Sequence, residues 1–358
     1  MAQNLPLLRL FELPVFGGAV DFARLVHVSA RLVNIYRKNS ARAYRTFSLP
    51  KAGGGARTIE APSRRLKALQ AWILRRILAR VPRTPYATAY HPGSKLLDNV
   101  LPHETNRYFL CIDLSDFFTS IKRTRVTKLF SLMGYSNRSA TLLSDLCCTD
   151  HLPQGAVTSP AISNLVAAKL DRRIAGYAAR KGIAYTRYAD DITISCNNPR
   201  LISRCRPMIF RIIKNEHFTV NLRKTRQLGP KSRIIVTGLT KDSSEPHFGI
   251  SRSVRRAMRA RYCLAVYRGT FDSEYPSMAA LDGWLNYLRT VDPVSYQRFA
   301  TYRTNLLSRH AAAGAVKSSP KVSPGNTTSV SVPASPASKM NPPSAPSAQP
   351  KPTPRNKP

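Results

Sequence analysis

Acidic residues are scarce in this chain of 358 residues, which carries 19 Asp and Glu against 56 Lys and Arg. The formal net charge is +37, and removing the six cations of residues 312–358, a segment without acid, still leaves +31. A charge of this size therefore belongs to the body of the protein and not only to a basic tail. Because bound polyanions release their counterions, nucleic acid is the expected class of partner.

Features that would place the chain in other classes are also missing. Its six cysteines form no Cys-x-x-Cys pair, which argues against a zinc site or a disulfide framework and favours free thiols in a reducing compartment. No apolar run approaches the length of about 18 residues that a membrane span needs. The mildly apolar N-terminal segment has no basic stretch before it, and Glu12 and Asp21 interrupt it. We therefore expect a cytoplasmic protein without a membrane partner.

The chain divides into a patterned body and an unpatterned C-terminal stretch. Residues 312–358 are rich in Pro, Ser, Ala and Lys and hold no aromatic residue, which predicts a disordered tail, either a basic arm or a segment of no specific role. In the body, apolar spacing predicts helices within residues 19–45, 63–81, 159–182, 199–217 and 251–310. Glycines near residue 54 predict a hairpin turn, and residues 233–242 are predicted to form one short strand. This order of elements predicts an α+β fold, with helices packed on a central antiparallel sheet.

Two adjacent aspartates, Asp190 and Asp191, lie between segments rich in β-branched and aromatic residues. Alone, the pair would be an ordinary hairpin turn, since aspartate favours turns. Asp113 changes that interpretation, because it ends an apolar strand and would converge with the pair if the strands were neighbours. Adjacent carboxylates repel unless a cation neutralises them, and oxygen ligands suit Mg²⁺. The three residues predict a site for two Mg²⁺ ions, with Mn²⁺ as a possible substitute, of the kind that nucleotide polymerases use.

Three segments, in this order and spacing, resemble motifs of the reverse transcriptase superfamily, and the resemblance spans most of residues 20–300. Residues 188–191 (YADD) resemble the YxDD box, residues 113–118 (DLSDFF) resemble the first catalytic strand, and residues 152–165 (LPQGAVTSPAISNL) resemble the QGxxxSP loop and helix before the box. The resemblance implies a right-hand polymerase. Its parts would be an N-terminal helical region at 1–45, fingers at 46–110, a palm with the catalytic site at 111–240, a helical, RNA-binding thumb at 241–311 and the disordered tail at 312–358.

The resemblance also implies roles for individual residues. Asp113, Asp190 and Asp191 would hold the metal ions, and Lys224, in the segment after the box, would donate a proton to the leaving pyrophosphate. Side chains from several segments would bind the dNTP substrate: Arg57 and Lys67, with Arg64 and Arg65 as alternatives, Gln154 and Gly155, and Phe118, with Phe117 as the less favoured ring to block a ribose 2′-OH. Ser159 and Pro160 would start the helix that follows the loop. Without function, the cations would form a solvated basic face and the rings would be core.

Two further segments resemble bacterial retron-type reverse transcriptases. The spacing from Asn99 to His103 resembles the retron NAxxH segment, although this chain has Val100 where alanine is usual. Val236, Thr237 and Gly238 match the VTG that precedes the thumb in retron enzymes. The resemblance implies that these five residues recognise RNA, whereas a satisfied structural histidine is the alternative for His103.

The retron resemblance implies a partner and a product. The partner would be a structured noncoding RNA, part of which is copied into single-stranded DNA. Synthesis would start from a 2′-OH of a guanosine in that RNA and would give a bound RNA–DNA product. Tyr262 and Tyr267 of the thumb would stack on the RNA, and a separate effector protein would act with the enzyme in phage defence. The alternatives are a non-retron bacterial reverse transcriptase of abortive-infection or intron-derived type, a catalytically silent RNA-binding protein of the same fold, and a structural polyanion-binding protein.

Overall fold

The structure of the protein is a computed structural model, and it describes residues 2–50, 55–242 and 245–317. The helices are α1 (Leu5–Leu10), α2 (Ala19–Leu25), α3 (Ala30–Lys38), α4 (Arg64–Arg76), α5 (Leu96–Val100), α6 (Phe117–Ser120), α7 (Arg123–Leu132), α8 (Asn137–Cys147), α9 (Ser159–Ala179), α10 (Pro199–Asn215), α11 (Arg252–Arg268), α12 (Met278–Val291) and α13 (Pro293–Lys317). The strands are β1 (Tyr44–Pro50), β2 (Ala56–Pro62), β3 (Tyr108–Ser115), β4 (Ala184–Tyr188), β5 (Asp191–Cys196), β6 (Thr219–Leu228), β7 (Ile234–Val236), β8 (Leu239–Asp242) and β9 (Glu245–Gly249).

A four-stranded antiparallel sheet with the order β4-β5-β3-β6 lies at the centre of the fold, as predicted. The β4–β5 hairpin forms one side, and β3 pairs with β5 from Tyr108 opposite Cys196 to Asp113 opposite Asp191. The outer edge of β4 is covered, because Arg187 donates its backbone N–H to Tyr86 and accepts one from Thr88. Covering an edge in this way removes a row of unpaired backbone groups that could otherwise pair with another chain.

The two faces of this sheet carry different side chains, because successive residues of a strand point to opposite faces. Leu110, Ile112 and Leu114 of β3 belong to the larger hydrophobic core, which also contains buried side chains of α9 and α10. Phe109 and Cys111 pack on the opposite face, against the smaller core that the C-terminal helices build. By the same alternation Asp113 belongs to that second face, at the end of the strand. The carboxylates and the α9–α10 layer therefore lie on opposite sides of the sheet.

The segment expected to form the fingers is a β1–β2 hairpin followed by α4. Its predicted turn lies partly at residues 51–54, outside the described residues. Leu66, Leu69 and Ile73 form the buried stripe of α4, in agreement with their helical spacing. The hairpin is tied to the palm by the loop before α9, because Glu60 donates its backbone N–H to the carbonyl of Gln154 at 2.8 Å.

The segment expected to form the thumb contains a small antiparallel sheet, β7-β8-β9, and the helices α11 to α13. The prediction of one short strand at 233–242 is wrong: the segment is a hairpin, and Thr237 and Gly238 form its two-residue turn with positive φ values of 46° and 83°. Such turns match the twist of the flanking strands. Because this sheet continues past residue 240, the predicted boundary between palm and thumb divides it.

The ends of the predicted regions shift slightly. The N-terminal helical region contains α1 to α3, and β1 begins at Tyr44. The helix α13 continues to Lys317, six residues past the predicted end of the thumb at 311, and the remainder of the predicted tail lies outside the described residues. Among the described helices, none combines the length and the apolar character that crossing a membrane requires.

Candidate active site

Asp113, Asp190 and Asp191 come together at one end of the central sheet. Asp113 and Asp191 are cross-strand partners of β3 and β5, and Asp190 lies in the turn between β4 and β5. The turn is held in place, because the backbone carbonyl of Asp190 accepts the N–H of Leu114 at 3.0 Å. Ala189 adopts a left-handed conformation with φ of 58°, which makes the turn tight enough to present both aspartates. The predicted convergence of the three carboxylates is therefore present.

Asp190 and Asp191 resist ionisation in the absence of a bound cation. Burial, together with the neighbouring carboxylates of Asp190 and Asp113, raises the pKa of Asp191 to about 6. Burial also raises the pKa of Asp190, with Asp113 adding to the effect. Although Asp191 keeps an exposed surface, loss of water around its carboxyl group is the largest cause of the shift. The site therefore has an excess of negative charge that a cation would relieve.

Lys224 partly supplies that positive charge. Its Nζ donates a hydrogen bond to Oδ1 of Asp113 at 2.8 Å, and this bond, with the charges of all three aspartates, raises the pKa of the lysine. The lysine side chain is 66% exposed, whereas that of Asp113 is 13% exposed. The lysine is therefore placed at the carboxylates from the solvent side, on β6, where a flexible side chain can be displaced.

The donor set fits a hard divalent cation. Within the described part of the chain, no three His, Cys, Asp or Glu side chains stand close enough together to hold a metal ion as they are. The three aspartates nevertheless offer only oxygen ligands, two of them have raised pKa values, and a cationic side chain already neutralises the third. Asp113, Asp190 and Asp191 would hold the divalent cation, which would compete with the Lys224 ammonium group for the carboxylate of Asp113.

The base of the hairpin turn, where Arg187 pairs with Ile192, is fixed by a buried ion pair that sequence reasoning missed. Arg187 of β4 and Asp171 of α9 are both fully buried and form two hydrogen bonds of 2.7 Å. The remaining nitrogen of Arg187 donates to the side chain of Asn164 at 3.1 Å and to the carbonyl of Ala189 at 3.0 Å. Asp171 also accepts from Tyr185 and Thr84. This network fixes the residue that immediately precedes Asp190.

The position of Arg187 in the sequence contained a usable signal. An arginine in a strand must either be exposed or find an acid, and Asp171 lies at helical spacing with the buried residues Ile174, Ala175 and Ala178. A buried acid on α9 and a buried base on β4 are mutual candidates for this reason. Deciding between this pair and an exposed arginine required the packing of α9 on the sheet.

Of the predicted fingers cations, Arg57 acts on the carboxylates. It is exposed on β2, and its charge lowers the pKa of Asp190, opposing the larger effect of burial. Lys67, Arg64 and Arg65 are exposed on α4, where they form a basic surface. Arg57 therefore interacts electrostatically with Asp190, whereas the other three cations lie on the surface of α4.

The two phenylalanines after β3 have different environments. Phe117 is 3% exposed and stacks on Phe218 with ring centroids 5.5 Å apart, so it belongs to the core. Phe118 is half-buried, and its ring lies 6.2 Å from that of Tyr90. Tyr90 was not predicted, and its loop has no periodic pattern that could have indicated it. The charge of Asp190 adds to the effect of burial in raising the pKa of Tyr90 to about 12, which places both rings at the carboxylate site.

Gln154 and Gly155 lie where the loop before α9 meets the fingers hairpin. Gly155 has φ of 133°, and a Cβ there would lie 2.8 Å from the carbonyl oxygen of Glu60. The close approach that requires glycine is thus to β2 of the protein itself. The glycine is exposed and Gln154 is half-buried, so both keep accessible surface. Ser159 and Pro160 begin α9 as predicted.

Asn99 and His103 do not face solvent, so their side chains are not placed for direct contact with RNA, and their predicted part in RNA recognition stays a prediction. Both are fully buried. The ring of His103 contacts the hydroxyls of Ser195 at 2.6 Å and Thr186 at 2.8 Å, and burial lowers its pKa to about 3, which keeps it neutral. Asn99 accepts from the Thr88 hydroxyl at 2.9 Å. These hydrogen bonds agree with the alternative of a satisfied structural histidine.

The buried Asn99 supports the VTG turn. Its side-chain amide donates to the hydroxyl of Thr237 at 3.5 Å, so the two retron-like segments meet although 138 residues separate them. Val236 is buried in the smaller core, whereas Thr237 and Gly238 are half-exposed at the turn. Only the turn itself can reach RNA in this arrangement.

The two thumb tyrosines also differ. Tyr262 is fully buried and donates its hydroxyl to the carbonyl of Leu281 at 2.8 Å, so the prediction that it stacks on RNA is wrong. Helical spacing on α11 assigns it to the core, as for Met258 and Ala265. Tyr267 is 45% exposed and meets His310 edge to face, so it remains accessible.

Comparison with known proteins gives the family. Residues 49–241 match the family described as reverse transcriptase (RNA-dependent DNA polymerase). The chain is 35% identical over 306 residues to the retron Ec86 reverse transcriptase of Escherichia coli, covering 85% of this chain and 93% of that protein. It is 34% identical over 316 residues to the retron Mx65 reverse transcriptase of Myxococcus xanthus, covering 82% of this chain and 73% of that protein.

Among solved structures, a telomerase from Candida tropicalis, in complex with a fragment of telomeric RNA, matches 81% of this chain and 58% of its own, with 11% identity. Its TM-score of 0.46 is too low to support an argument, so the fold assignment follows the family. Reverse transcriptases use divalent metal ions and copy an RNA template. The family match and the two retron relatives confirm the predicted resemblance: this chain belongs to the bacterial retron-type reverse transcriptases and is an RNA-directed DNA polymerase with a right-hand fold of fingers, palm and helical thumb.

Proposed function

We propose that the enzyme copies part of a cognate structured noncoding RNA into single-stranded DNA, starting from a 2′-OH of a guanosine in that RNA. The relationship to retron reverse transcriptases over most of both chains supports this assignment. The observation that carries the chemistry is the convergence of Asp113, Asp190 and Asp191, with Lys224 hydrogen-bonded to the first. The product is then an RNA–DNA molecule that stays bound to the basic protein.

The three aspartates would hold two Mg²⁺ ions, which Mn²⁺ could replace. When bound, such ions help a hydroxyl to attack and stabilise the leaving pyrophosphate. The chain supplies the carboxylates on a rigid hairpin, because the Arg187–Asp171 pair fixes the residue before Asp190. Lys224, whose raised pKa keeps it protonated at neutral pH, would give a proton to the pyrophosphate.

The dNTP would bind between the fingers and the palm. Arg57 would contact the triphosphate, with Lys67 reaching it from α4, because guanidinium and ammonium groups are the usual partners of phosphate oxygens. The half-buried Phe118 would exclude a ribose 2′-OH, and Gln154 and Gly155 would line the nucleotide and template. The accessible surface of the last two residues and the environments of Phe117 and Phe118 support this assignment.

The thumb would grip the RNA by shape and charge. Arginines of α11 and α13 line a cavity of about 180 Å³: Arg252, Arg255, Arg256, Arg259 and Arg298. Such a cluster suits backbone phosphates, and the half-exposed turn at Thr237 and Gly238, with Val236 anchored beneath it, would add contacts to a structured RNA. Asn99 and His103 would contribute to recognition by positioning that turn and the strands beside it.

The experiment is expression of the full chain with the DNA that flanks its gene, followed by purification and a denaturing gel of the bound nucleic acid. We expect a branched species whose RNA part is removed by ribonuclease and whose DNA part remains. Asp190→Asn should abolish the DNA, whereas Asp21→Asn, at an exposed surface carboxylate, should leave it unchanged. DNA without a branch would favour a non-retron reverse transcriptase, and bound RNA without any DNA would favour a silent RNA-binding protein.

We further propose that this cytoplasmic synthesis serves phage defence together with a separate effector protein. Relationship to the retron enzymes is the support for this step. Plating of phages on cells that carry the gene and its neighbours measures it. Protection that is lost with Asp190→Asn agrees with the proposal, and equal protection by the variant contradicts it.

A further inference from the structure

A groove runs between α9 and α10, away from the candidate active site. Its volume is about 540 Å³. Basic and aromatic side chains of α9 form one wall and apolar side chains of α10 form the other, and the residues that matter here are Arg172, Tyr177, Arg180, Lys181, Met208 and Ile212. The groove therefore combines cations with an apolar floor, a combination that suits nucleic acid better than a small apolar ligand.

The sequence of α9 creates this groove by its spacing. Leu170, Ile174 and Ala178, four residues apart, are buried in the larger core. Arg172 and Gly176 lie on an exposed face of the helix, and the exposed Arg180 follows four residues later, directly after the helix ends. Nothing lies within 4 Å of the position where a Cβ of Gly176 would stand, so the groove is open to its backbone at the centre.

The cations of the groove are only partly neutralised. Glu216 binds Arg173 at 2.7 Å and Lys169 at 3.3 Å, which accounts for these two charges. Among the described residues, Arg172 and Arg180 have no hydrogen-bond, ion-pair or ring partner, and Lys181 lies over the ring of Tyr177 at 5.4 Å. Arg172 and Arg180 are eight residues apart, or about 12 Å at the helical rise of 1.5 Å per residue, so a polyanion that lies along this face can contact both exposed guanidinium groups.

Because of its location, the groove does not bind the template and primer that lie at the catalytic carboxylates. The helices α9 and α10 pack on the sheet face that carries Leu110, Ile112 and Leu114, whereas Asp113 lies on the other face. A short template and primer at Asp113 would have to pass around the sheet to reach Arg172. A long, folded RNA can do so, because its parts outside the template are free to follow the surface.

We propose that this palm groove binds the backbone of the structured RNA partner at a part that is not copied. Arg172, Arg180 and Lys181 would contact phosphates, and an unpaired base would stack on Tyr177 above Met208 and Ile212. This inference rests on the proposed function, since it needs a structured RNA partner. It predicts that the groove contributes to RNA affinity and contributes nothing to polymerisation on a short template.

The test uses the full chain and a transcript of the noncoding RNA encoded beside its gene. The double variant Arg172→Glu/Arg180→Glu is compared with Arg9→Glu/Arg31→Glu, which makes the same charge change at exposed positions of α1 and α3. We expect the groove variant to bind the RNA about tenfold or more weakly and to reduce the salt dependence by about 0.7–0.9 in slope for each lost phosphate contact. The control variant should bind like the wild type.

Extension of a DNA primer on a short unrelated RNA template is measured in parallel. We expect the groove variant to keep this activity within about twofold of the wild type, because the groove lies outside the catalytic cleft. Ultraviolet crosslinking should join the transcript to peptides of α9 in the wild type. Thermal unfolding of both double variants shows whether either change damages the fold.

Different results overturn different proposals. Unchanged RNA affinity and salt slope in the groove variant would overturn the proposal that the groove binds RNA. Equal losses of affinity in both double variants would overturn it too. Loss of a copurifying acidic protein with unchanged RNA affinity would assign the groove to a protein partner and would also overturn it. If the wild type does not prefer the transcript over an unrelated RNA of equal length, the proposed RNA partner fails first.

Discussion

The tip of the β4–β5 hairpin and the base of its turn, where Arg187 meets Asp171 of α9, show two ways of placing an aspartate inside a protein. At the base, Asp171 is fully buried and has a guanidinium partner in Arg187, with two hydrogen bonds of 2.7 Å. At the tip, Asp190 and Asp191 have raised pKa values, and the cation nearest to the cluster is the exposed, flexible Lys224. The base is neutralised by the fold, whereas the tip is left for a cation that comes from outside.

This difference separates stability from chemistry within a few residues. A buried pair is costly to break because the remaining charge has no partner. A cluster of like charges instead costs stability until a metal ion binds. The base therefore makes the hairpin rigid, and the tip keeps the strain that gives metal ions their affinity. Four measurements test the distinction.

The largest effect is expected at the tip. Asp190→Asn should lower primer extension by about 10³-fold or more, because metal ions contribute several kcal/mol to catalysis at such sites. The same change should leave thermal stability unchanged or raise it, since it removes one of three repelling charges. Steady-state extension and a melting curve on the same preparation measure both. A variant that unfolds would contradict the distinction.

The second effect is expected at the base. Asp171→Asn leaves Arg187 buried without its charge partner and should lower the free energy of unfolding by about 3–5 kcal/mol. Denaturant unfolding measures it, with Asp21→Asn as the control at an exposed carboxylate. A loss below about 1 kcal/mol, the usual range for surface pairs, would mean that the pair is not buried in solution.

The neighbouring rings Phe117 and Phe118 repeat the comparison on a smaller scale. Phe118→Ala should raise the use of ribonucleotides relative to deoxynucleotides by about tenfold or more, because it removes the ring proposed to exclude the 2′-OH. The ratio of kcat/KM for GTP and dGTP measures the change. Phe117→Leu, in the core, should lower stability and leave this ratio as it is. A changed ratio in the Phe117 variant alone would exchange the two roles.

The smallest effect is the pH dependence of stability without metal. The folded-state pKa of Asp191 is raised to about 6, so its ionisation costs stability as the pH rises towards and through that value. The pKa of His103 is lowered to about 3, so its effect on stability has the opposite direction. The stability that neutral His103 contributes is lost as the pH falls below the ordinary pKa of histidine towards 3. Only a comparison of variants isolates Asp191.

In the presence of a chelator, Asp191→Asn should raise the melting temperature over that of the wild type by more at pH 7 than at pH 5. The difference should be a few degrees at most, since Asp191 keeps exposed surface and solvent screens its charge. Magnesium should raise the melting temperature of the wild type more at pH 7 than at pH 5, because protons compete for the same oxygens. Equal responses at both values would contradict the raised pKa.

Local patterns predicted the elements well where one principle dominated. The alternation in β3 and the turn preference of Asp190 led to the correct hairpin and to its partner strand. Helical spacing identified α4 and α9. The hairpin at 234–242 was missed because its strands are only three and four residues long, which is too short for periodicity to show.

The burial of single polar residues could not be predicted in the same way. Asn99, His103 and Tyr262 have side chains suited to RNA, and each finds its partners inside the protein. Hydrogen bonding removes the cost of burying such groups, but the partners lie far away in the sequence. His103, for example, contacts Ser195 across 92 residues. A motif indicated that these residues matter, and it did not indicate which way they face.

The sequence by itself determined the class of chemistry, because strand alternation, turn preference and a large positive charge are properties of short segments and of composition. It placed three carboxylates at one sheet end in a strongly basic chain. The tertiary structure decided which cation each carboxylate meets. Lys224 bonds to Asp113 across 111 residues of sequence, and Arg187 of β4 bonds to Asp171 of the neighbouring helix α9. Pairing and desolvation depend on distances of a few ångströms between remote segments, and only packing sets those distances.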